Sequence, residues 1–255
     1  MENNLNIVII IQARMSSKRL PGKVLLPLHN KTVLDYVYSR SKRVAMADEV
    51  VVATSTDVTD DQIEIHCIQN KYNVFRGSLD DVLERYYKAA KKYNADIIVR
   101  ITSDCPFIDY EIVNQMLKNF IKSNYDYYYL GGNFPDGLDC SIIRSKALDE
   151  AHNKAHLKSD REHVCPYIER NNDKFNINFM SYKYDLYNYR WTLDTHNDYI
   201  FLKEIISHLQ GDKEFFVSDD VIATLEKFPN LLDINKGAIR NEGYLISLKN
   251  DKRSI

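Results

Sequence analysis

"IIIQARMSSKRLPGKVL", residues 9–25, joins an apolar run to a loop rich in cations. The apolar run, residues 7–11, contains only Ile and Val, which is typical of a strand buried on both faces of a parallel sheet. The loop after it carries four Lys or Arg side chains between residues 14 and 23 and contains a Pro-Gly pair. The sequence therefore predicts a buried first strand that ends in a basic loop at the edge of a sheet.

Strand-like and helix-like segments alternate through the first half of the chain. This alternation predicts an α/β fold with a mainly parallel sheet and helices on both faces. Ligands of such sheets bind outside the carboxyl ends of the strands, so the loops after residues 11 and 101 should meet at one crevice. The predicted strands are 7–11, 49–54, 73–75 and 96–101, and the predicted helices are 32–44, capped by Thr32, 57–69, 79–93 and 109–122, capped by Asp109.

The pattern is less regular after residue 125. Three strand-like runs here predict a hairpin or a small second sheet, and the polar tail from residue 241 is predicted to be loosely held. The predicted strands are 127–130, 138–143, 175–184 and 190–193, and the predicted helices are 145–153, 160–170, 196–209 and 218–227.

Length, charge and cysteine spacing narrow the functional classes. A chain of 255 residues suits one α/β domain, placed at 1–240, with a polar C-terminal tail at 241–255. A net charge of −2 gives no general basic field for nucleic acid. The four cysteines form no CxxC pair, which argues against a zinc site or a disulfide framework and favours a reducing cytoplasm. The first apolar run is too short for a signal peptide or a membrane span.

The basic loop has the composition of a phosphate-binding loop. A triphosphate needs clustered cations and free backbone N–H groups, and a strand-to-helix loop offers both. The Walker pattern GxxxxGK[ST] and the pattern GxGxxG are both absent, so the loop belongs to neither of those classes. An exposed, solvated loop is the alternative that composition leaves open.

Two aspartates follow predicted strands. Asp104 stands in TSDCP, and Asp194 stands in RWTLDTHND. Strand-end carboxylates suit Mg²⁺ held against phosphates, as in metal-assisted nucleotidyl transfer. A plain turn or helix cap explains each of them equally well, and either Thr195 or Asp198 caps the following helix. For Asp198 we expect only this local role.

Two further stretches carry candidate residues. Arg76 and Ser78 lie at a predicted strand-to-helix turn in FRGSLDDVL, where they would hold a base or ribose or form an ordinary helix start. His163 in REH is a candidate general base, although a lone His is more often structural or exposed.

Six segments occur in the order "QARMSSKRLPGK", "FRGSLDDVLERY", "VRITSDCPFID", "FPDGLD", "REHVCPYI" and "RWTLDTHNDY". Together they resemble the cytidylyltransferases of the spore-coat polysaccharide biosynthesis type, relatives of the CMP-KDO and acylneuraminate cytidylyltransferases. The resemblance covers about residues 6–210. It implies a Rossmann-like nucleotide-diphospho-sugar transferase fold, three-layer α/β/α, with a mainly parallel mixed sheet and a small β-hairpin extension.

The resemblance also implies a reaction and an assembly. CTP and an acceptor would give a CMP-linked product and pyrophosphate with the help of Mg²⁺, for surface polysaccharide or glycan biosynthesis. The enzyme would be a cytoplasmic homodimer, with residues 125–185 forming the acceptor side and the dimer contact. No nucleic-acid or membrane partner is implied.

Site residues follow from the same resemblance. Arg14, Lys23, Asp104 and Asp194 are implied to be catalytic, and the two aspartates to bind Mg²⁺. A Glu is expected where this chain has Ser141, so if that Glu contacts the acceptor in the family, the acceptor preference differs here. The implied nucleotide-binding residues are Gln12, Ala13, Arg14, Ser17, Lys18, Arg19, Lys23, Arg76, Ser78 and Arg100, and the implied acceptor-binding residues are Asp139, Arg161 and His163.

Two other functions stay open at the level of sequence. A GT-A type glycosyltransferase shares the general fold but usually carries a DxD metal motif, which residues 104–106 and 194–196 do not form. A non-catalytic nucleotide-binding protein is the other alternative, and the intact metal carboxylates argue against it. The acceptor is open among a nonulosonic acid, another surface sugar, and a phosphate or phosphonate alcohol. The preference for CTP rests on the resemblance alone.

Overall fold

The computed structural model describes residues 5–209 and 215–251, and they build a seven-stranded sheet covered by helices. The predicted three-layer α/β architecture with a mainly parallel mixed sheet is confirmed. The strands are β1 (Ile7–Gln12), β2 (Pro27–Leu28), β3 (Lys31–Thr32), β4 (Glu49–Ser55), β5 (Asn73–Gly77), β6 (Ile97–Thr102), β7 (Tyr127–Leu130), β8 (Cys140–Arg144) and β9 (Ile177–Met180). The order in the main sheet is β5-β4-β1-β6-β8-β7-β9.

Ten helices of the described residues connect and cover these strands. The predicted caps are confirmed, because Thr32 forms a capping box with Asp35 and Asp109 accepts two backbone N–H groups of the following helix. The helices are α1 (Val33–Ser41), α2 (Asp61–Gln69), α3 (Val82–Lys92), α4 (Tyr110–Ser123), α5 (Ser145–Lys154), α6 (Lys158–His163), α7 (Pro166–Arg170), α8 (His196–His208), α9 (Ser218–Lys227) and α10 (Glu242–Asp251), with 3₁₀ helices at Lys23–Leu25, Val58–Asp60 and Pro229–Asp233.

The first strand lies at the centre of the sheet. β1 pairs in parallel with β4 on one side and β6 on the other. Ile9 and Ile11 pack into the apolar layer on one face, and Val8 and Ile10 pack into the layer on the other. This burial on both faces explains the unbroken Ile and Val run. Within the described parts of the chain, no helix is both long enough and apolar enough to cross a membrane.

For residues 127–184 the sequence predicts a hairpin or a small second sheet; β7 and β8 do pair antiparallel, but no separate sheet forms among these described residues. β8 pairs antiparallel with β6, and β7 and β9 extend the same main sheet beyond it. The reason is burial: Ile142 and Ile143 of β8 are fully covered, one on each face of the sheet. The small separate hairpin lies instead at β2–β3, just after the basic loop.

Three other predictions need correction. The helix expected at 160–170 breaks at Val164, whose φ is +73°, and restarts at Pro166. Residues 190–193 form no strand; Arg190 makes only an isolated bridge with Asp136. The tail expected to be loose is helical at Glu242–Asp251 and contacts α6. Residues 1–4, 210–214 and 252–255 of the predicted domain and tail lie outside the described residues.

Candidate active site

The basic loop is held in place by its backbone. The N–H groups of Ser17 and Gly22 both donate to the carbonyl of Met15, at 2.9 Å each. The N–H of Met15 donates to the carboxylate of Asp60 at 2.7 Å, although nothing in the sequence pattern singles out this aspartate. Gly22 has a φ of +72°, a left-handed conformation that costs glycine little. These bonds fix the direction in which the loop presents its cations.

Lys23 points inward from the end of this loop. Its side chain is only 8% exposed, and its ammonium group makes three hydrogen bonds. It donates to Asp104 Oδ2 at 2.6 Å, to Asp194 Oδ1 at 2.8 Å and to the carbonyl of Leu193 at 2.8 Å. The ammonium group therefore lies between the two carboxylates that the sequence singles out.

Backbone contacts bring these two carboxylates together. The N–H of Leu193 donates to the carbonyl of Asp104 at 2.8 Å, so the extended segment before Asp194 lies along the loop after β6. Gly137 packs against that segment from the other side, with a φ of +112°. A Cβ at this glycine would lie 2.3 Å from the backbone nitrogen of Thr192, so no larger residue fits there.

A buried arginine that sequence reasoning missed supports Asp194 from behind. Arg190 Nη2 donates to Asp194 Oδ2 at 2.9 Å, Nη1 to Asp136 at 2.5 Å and Nε to Asp198 at 2.8 Å. Asp198 caps α8 as predicted, but its role is not only local, because it also pairs with Arg190 and accepts from Asn235 at 3.0 Å. The members of this network come from three separate segments, at residues 136, 190–198 and 235, so spacing within one segment reveals only part of the network.

The pKa values of three members of this cluster favour their charged forms. Burial alone would raise the pKa of Asp104, but the Lys23 ammonium outweighs it and lowers that pKa to about 2. Burial likewise opposes the charge of Lys23, and the two carboxylates outweigh it and raise its pKa. Burial also opposes the charge of Asp198, and the hydrogen bonds from Arg190 lower its pKa overall. Lys23, Asp104 and Asp198 are therefore charged at neutral pH, whereas burial raises the pKa of Asp136 to about 7.

The two carboxylates can bind a divalent cation that takes its remaining ligands from other groups. Asp104 and Asp194 converge on one point, because both lie within 2.8 Å of the same Lys23 nitrogen. Among the described residues, no group of three or more His, Cys, Asp or Glu side chains is arranged to hold a metal. Magnesium-type sites commonly use one or two carboxylates and take their other ligands from phosphates and water. A cation at this point would displace the Lys23 ammonium.

Other predicted phosphate-binding residues lie along the loop. Arg14 and Lys18 are exposed, and Arg19 pairs with Asp194 at 2.9 Å and with Glu242 of α10 at 2.5 Å. Ala13 is buried at the end of β1, and Ser17 Oγ accepts from the backbone of the same loop. The loop thus holds one inward cation and three outward ones at the carboxyl end of the sheet.

Arg76 and Ser78 lie at the end of β5, as predicted, but are engaged locally. Arg76 pairs with Asp61 and Glu64 of α2, at 2.7 Å each. Ser78 Oγ accepts the N–H of Asp81, just before α3. These contacts brace the start of α3, and a direct contact of Arg76 or Ser78 with a nucleotide stays a prediction.

The three predicted acceptor residues differ in their surroundings. Asp139 is half-buried, and its pKa is raised by burial, with Arg240 acting against that effect. Arg161 ties α6 to α3, since it donates to Asp81 and to the carbonyl of His152. His163 Nε2 lies 3.0 Å from the hydroxyl of a serine in α10. Arg161 is therefore occupied by protein partners, and its contact with an acceptor stays a prediction.

The family of the chain follows from its sequence. Residues 8–231 match the sequence profile of the family described as cytidylyltransferase. The chain belongs to the cytidylyltransferase family. It is therefore a nucleotidyltransferase. The spore coat polysaccharide biosynthesis protein SpsF of Bacillus subtilis is 33% identical to it over 232 residues, which cover 88% of this chain and 96% of that protein. The resemblance inferred from the motifs is confirmed.

Solved structures support the same conclusion. A cytidylyltransferase from Leptospira borgpetersenii serovar Hardjo-bovis has a TM-score of 0.86 and 36% sequence identity, and the match covers 92% of this chain and 99% of that one. A CMP:2-keto-3-deoxy-manno-octonic acid synthetase complexed with CTP has a TM-score of 0.60 and 17% identity, over 79% of this chain and 98% of that one. The second match shows a shared fold only.

Proposed function

We propose that this cytidylyltransferase transfers CMP from CTP to the oxygen of a small-molecule acceptor and releases pyrophosphate. One observation carries the proposal: Lys23, Asp104 and Asp194 meet at the carboxyl end of the sheet, directly beside the basic loop. This arrangement can neutralise a triphosphate from two sides, with cations from the loop and a divalent cation on the carboxylates.

The metal proposed for the site is Mg²⁺. Asp104 and Asp194 would hold it, and when bound it supplies positive charge to the phosphate oxygens. Lys23 would then be released from the carboxylates and lie free to pair with a phosphate. Arg14, Lys18 and Arg19 would contact the outer phosphates, because they are placed on the exposed side of the same loop.

The transfer itself is a displacement at the α-phosphorus. The acceptor oxygen forms the new P–O bond, and the bond to the leaving pyrophosphate breaks in line with it. Charge grows on the leaving oxygens, where the cations of the loop stabilise it. A hydroxyl acceptor must also lose its proton, and His163 is our candidate base. Burial lowers the pKa of His163, which keeps its imidazole neutral and able to accept that proton.

For the acceptor we propose a sugar or sugar acid of a surface polysaccharide. The similarity to the spore coat polysaccharide biosynthesis protein of Bacillus subtilis points in this direction. Asp139 would contact the acceptor, since it lies close enough to Asp104 for the two charges to influence each other. Ser141, two residues further on, would shape the preference among acceptors.

We also propose that the enzyme is a cytoplasmic homodimer that associates through residues 125–185. β9 forms an edge of the main sheet, and Phe179 on it is 50% exposed. Exposed aromatic side chains on an edge strand are typical of association surfaces. Light scattering of the wild-type protein and of Phe179→Asp tests this: a dimer that becomes a monomer supports it, and a wild-type monomer overturns it.

Pyrophosphate release tests the reaction. The enzyme is supplied with Mg²⁺, one of the four nucleoside triphosphates at a time, and a panel of nonulosonic acids, sugar phosphates, phosphonates and neutral sugars. Release with CTP and an acceptor supports the proposal. CTP binding without release for any acceptor would favour a non-catalytic protein, and release of nucleoside diphosphate from a nucleotide sugar would favour a glycosyltransferase. Wild type is compared with Asp173→Asn, an exposed change that should leave the rate unaltered.

A further inference from the structure

One half-buried cation of the site, Arg100, has an incomplete set of hydrogen-bond partners among the described residues. Arg100 of β6 donates from Nη2 to the side-chain amide oxygen of Gln12 at 3.2 Å. Its Nε is buried and has no hydrogen-bond partner within the described residues. Within that same part of the chain, no carboxylate lies at ion-pair distance from its guanidinium. A buried charge without a partner carries a substantial desolvation cost, so such a group usually awaits a ligand.

The strand register explains why the counter-ion is missing. Arg100 lies directly opposite Ser141 of β8. The Ser141 hydroxyl is 3.7 Å from Cys165 Sγ and offers no charge. The ring of Tyr86 lies 5.9 Å from the guanidinium carbon, which gives a weak cation–π contact at most. The groups in contact with Arg100 are thus a serine, an amide and an aromatic ring, and the charge of Asp139 favours its protonated form from beyond ion-pair distance.

Other positive groups surround the same place. Burial lowers the pKa of His163, and the charges of Arg100 and Arg14 lower it further while Glu162 acts against them. Arg100 and Arg14 are therefore close enough to His163 to act on it. Together with the free Nε of Arg100, this creates a positive region beside the candidate base.

Arg100 lies on the face of the sheet that carries Tyr86. Val8 and Ile10 of β1 belong to the apolar layer on the face of the sheet that carries Tyr86, and Gln12 continues the same alternation. Val24, next to Lys23, packs into the layer on the opposite face. Arg100 pairs in register with Ile10, so an anion at Arg100 would lie on this face of the sheet, on the side of His163.

We propose that Arg100, supported by Gln12, binds an anionic group of the acceptor, a carboxylate or a phosphate. This rests on the proposed function and deepens it, because it restricts the acceptors to anions. Nε and Nη2 form one edge of the guanidinium, the geometry that matches a carboxylate or phosphate. A neutral ester or alcohol would leave Nε unpaired and is expected to react at least about 10-fold less efficiently.

The deciding experiment observes the Nε–H group of Arg100 directly. The Nε–H signals of arginine are recorded by NMR in ¹⁵N-labelled enzyme saturated with CTP, and the Arg100 signal is assigned by its loss in Arg100→Gln. Acetate is then titrated as the probe. We expect a saturable shift of this signal, which Ser141→Glu abolishes by placing a carboxylate beside Arg100. Ser141→Gln, of nearly the same size and neutral, should keep the shift, and thermal unfolding checks that both variants fold.

The possible outcomes distinguish a failure of this inference from a failure of the proposed function. CTP binding without any acetate-dependent shift of the Arg100 signal overturns the inference and leaves nucleotidyl transfer standing. A saturable shift in an enzyme that does not bind CTP supports the anion site and overturns the nucleotide assignment. A shift that persists in Ser141→Glu also counts against the site, because the new carboxylate should occupy the guanidinium.

Kinetics then measure the consequence for the acceptor. An acid that supports pyrophosphate release is compared with its methyl ester. Wild type should favour the acid at least about 10-fold in kcat/KM, whereas Arg100→Gln should treat both alike. Arg100→Lys should keep part of the preference, since it keeps the charge but not the planar edge. Asp173→Asn, the exposed control change, should keep the full preference for the acid.

Discussion

The proposed cleft has a triphosphate end, around Lys23, Asp104 and Asp194, and an acceptor end, around Arg100. The charges of the two ends are compensated in different ways. At the first, Lys23 bridges Asp104 and Asp194, and Arg190 closes the network from behind. At the second, Arg100 has only an amide oxygen as a partner. Both ends lie at the carboxyl edge of the same sheet, and residues of β1 and β6 or of the loops that follow them contribute to each.

The difference indicates which end is preformed. Ion pairs within the protein hold the two carboxylates near each other before any ligand arrives, with a lysine standing where a metal ion would bind. The acceptor end lacks such a partner and gains its counter-ion only with a substrate. The first end should therefore control stability as well as catalysis, and the second should control selectivity.

The largest effect is expected at Asp104. Asp104→Asn removes one of the two carboxylates proposed to hold Mg²⁺ and should lower kcat by about 1,000-fold or more. Pyrophosphate release at saturating CTP measures it, and circular dichroism checks the fold. Asp173→Asn serves as the control for loss of one surface charge. Near wild-type turnover of a folded Asp104→Asn protein would refute the metal assignment.

The next effect concerns stability. Asp198 is fully buried, and Asp198→Asn leaves Arg190 without one of its charged partners. We expect the free energy of unfolding at about pH 7 to fall by about 3 kcal/mol. The pKa of Asp198 in the folded protein lies below its usual 3.8, so the carboxylate stabilises above that pH and loses this contribution as the pH falls below it.

Urea unfolding at two pH values checks the assignment. The difference between wild type and Asp198→Asn should be complete near neutral pH and should shrink below about pH 4, because the wild-type carboxylate then becomes protonated too. A difference that stays constant down to the acid limit would mean that packing, and not the ion pair with Arg190, is what the substitution disturbs.

The triphosphate end was the more predictable of the two from sequence. Asp104 follows a strand with a clear apolar pattern, and the rule for parallel sheets places it beside the basic loop. Asp194 was expected at a strand end and instead follows an extended segment bonded to the Asp104 backbone. Local pattern could not reveal the pairing of Arg190 with Asp136 or the packing of α10, because these contacts join segments that are distant in sequence. The unpaired state of Arg100 depends on the register between β6 and β8, which the motifs do not encode.

A smaller effect is expected when Lys23 is replaced. Its ammonium occupies the point on which both carboxylates converge, so a divalent cation must compete with it. Lys23→Gln should bind Mn²⁺ about 10-fold more tightly in the absence of nucleotide, since the competing ammonium group is removed from between the two carboxylates. The same variant should turn over more slowly, because a phosphate partner is lost. Unchanged or weaker Mn²⁺ binding, measured by electron paramagnetic resonance, would place the cation elsewhere.

The smallest effect concerns the contact between the basic loop and α10. Arg19 pairs with Glu242 at 2.5 Å, and both side chains are about 40% exposed, so the pair adds little to stability. Glu242→Gln should change the free energy of unfolding by less than about 0.5 kcal/mol. It should nevertheless lower the KM for CTP about twofold, because Glu242 no longer competes with the phosphates for Arg19.

The control for this last change is Glu150→Gln, which removes a carboxylate from a surface pair with Lys154. It alters the net charge equally but lies on α5, away from the loop, and should leave the KM for CTP unchanged. If both variants lower KM alike, the effect comes from overall charge and α10 does not restrain the loop. If only Glu242→Gln does so, and the difference shrinks with added salt, then the helix competes with the triphosphate for Arg19. Protein carboxylates would then hold the cations of both the basic loop and the inner Lys23 cluster until the substrate replaces those carboxylates.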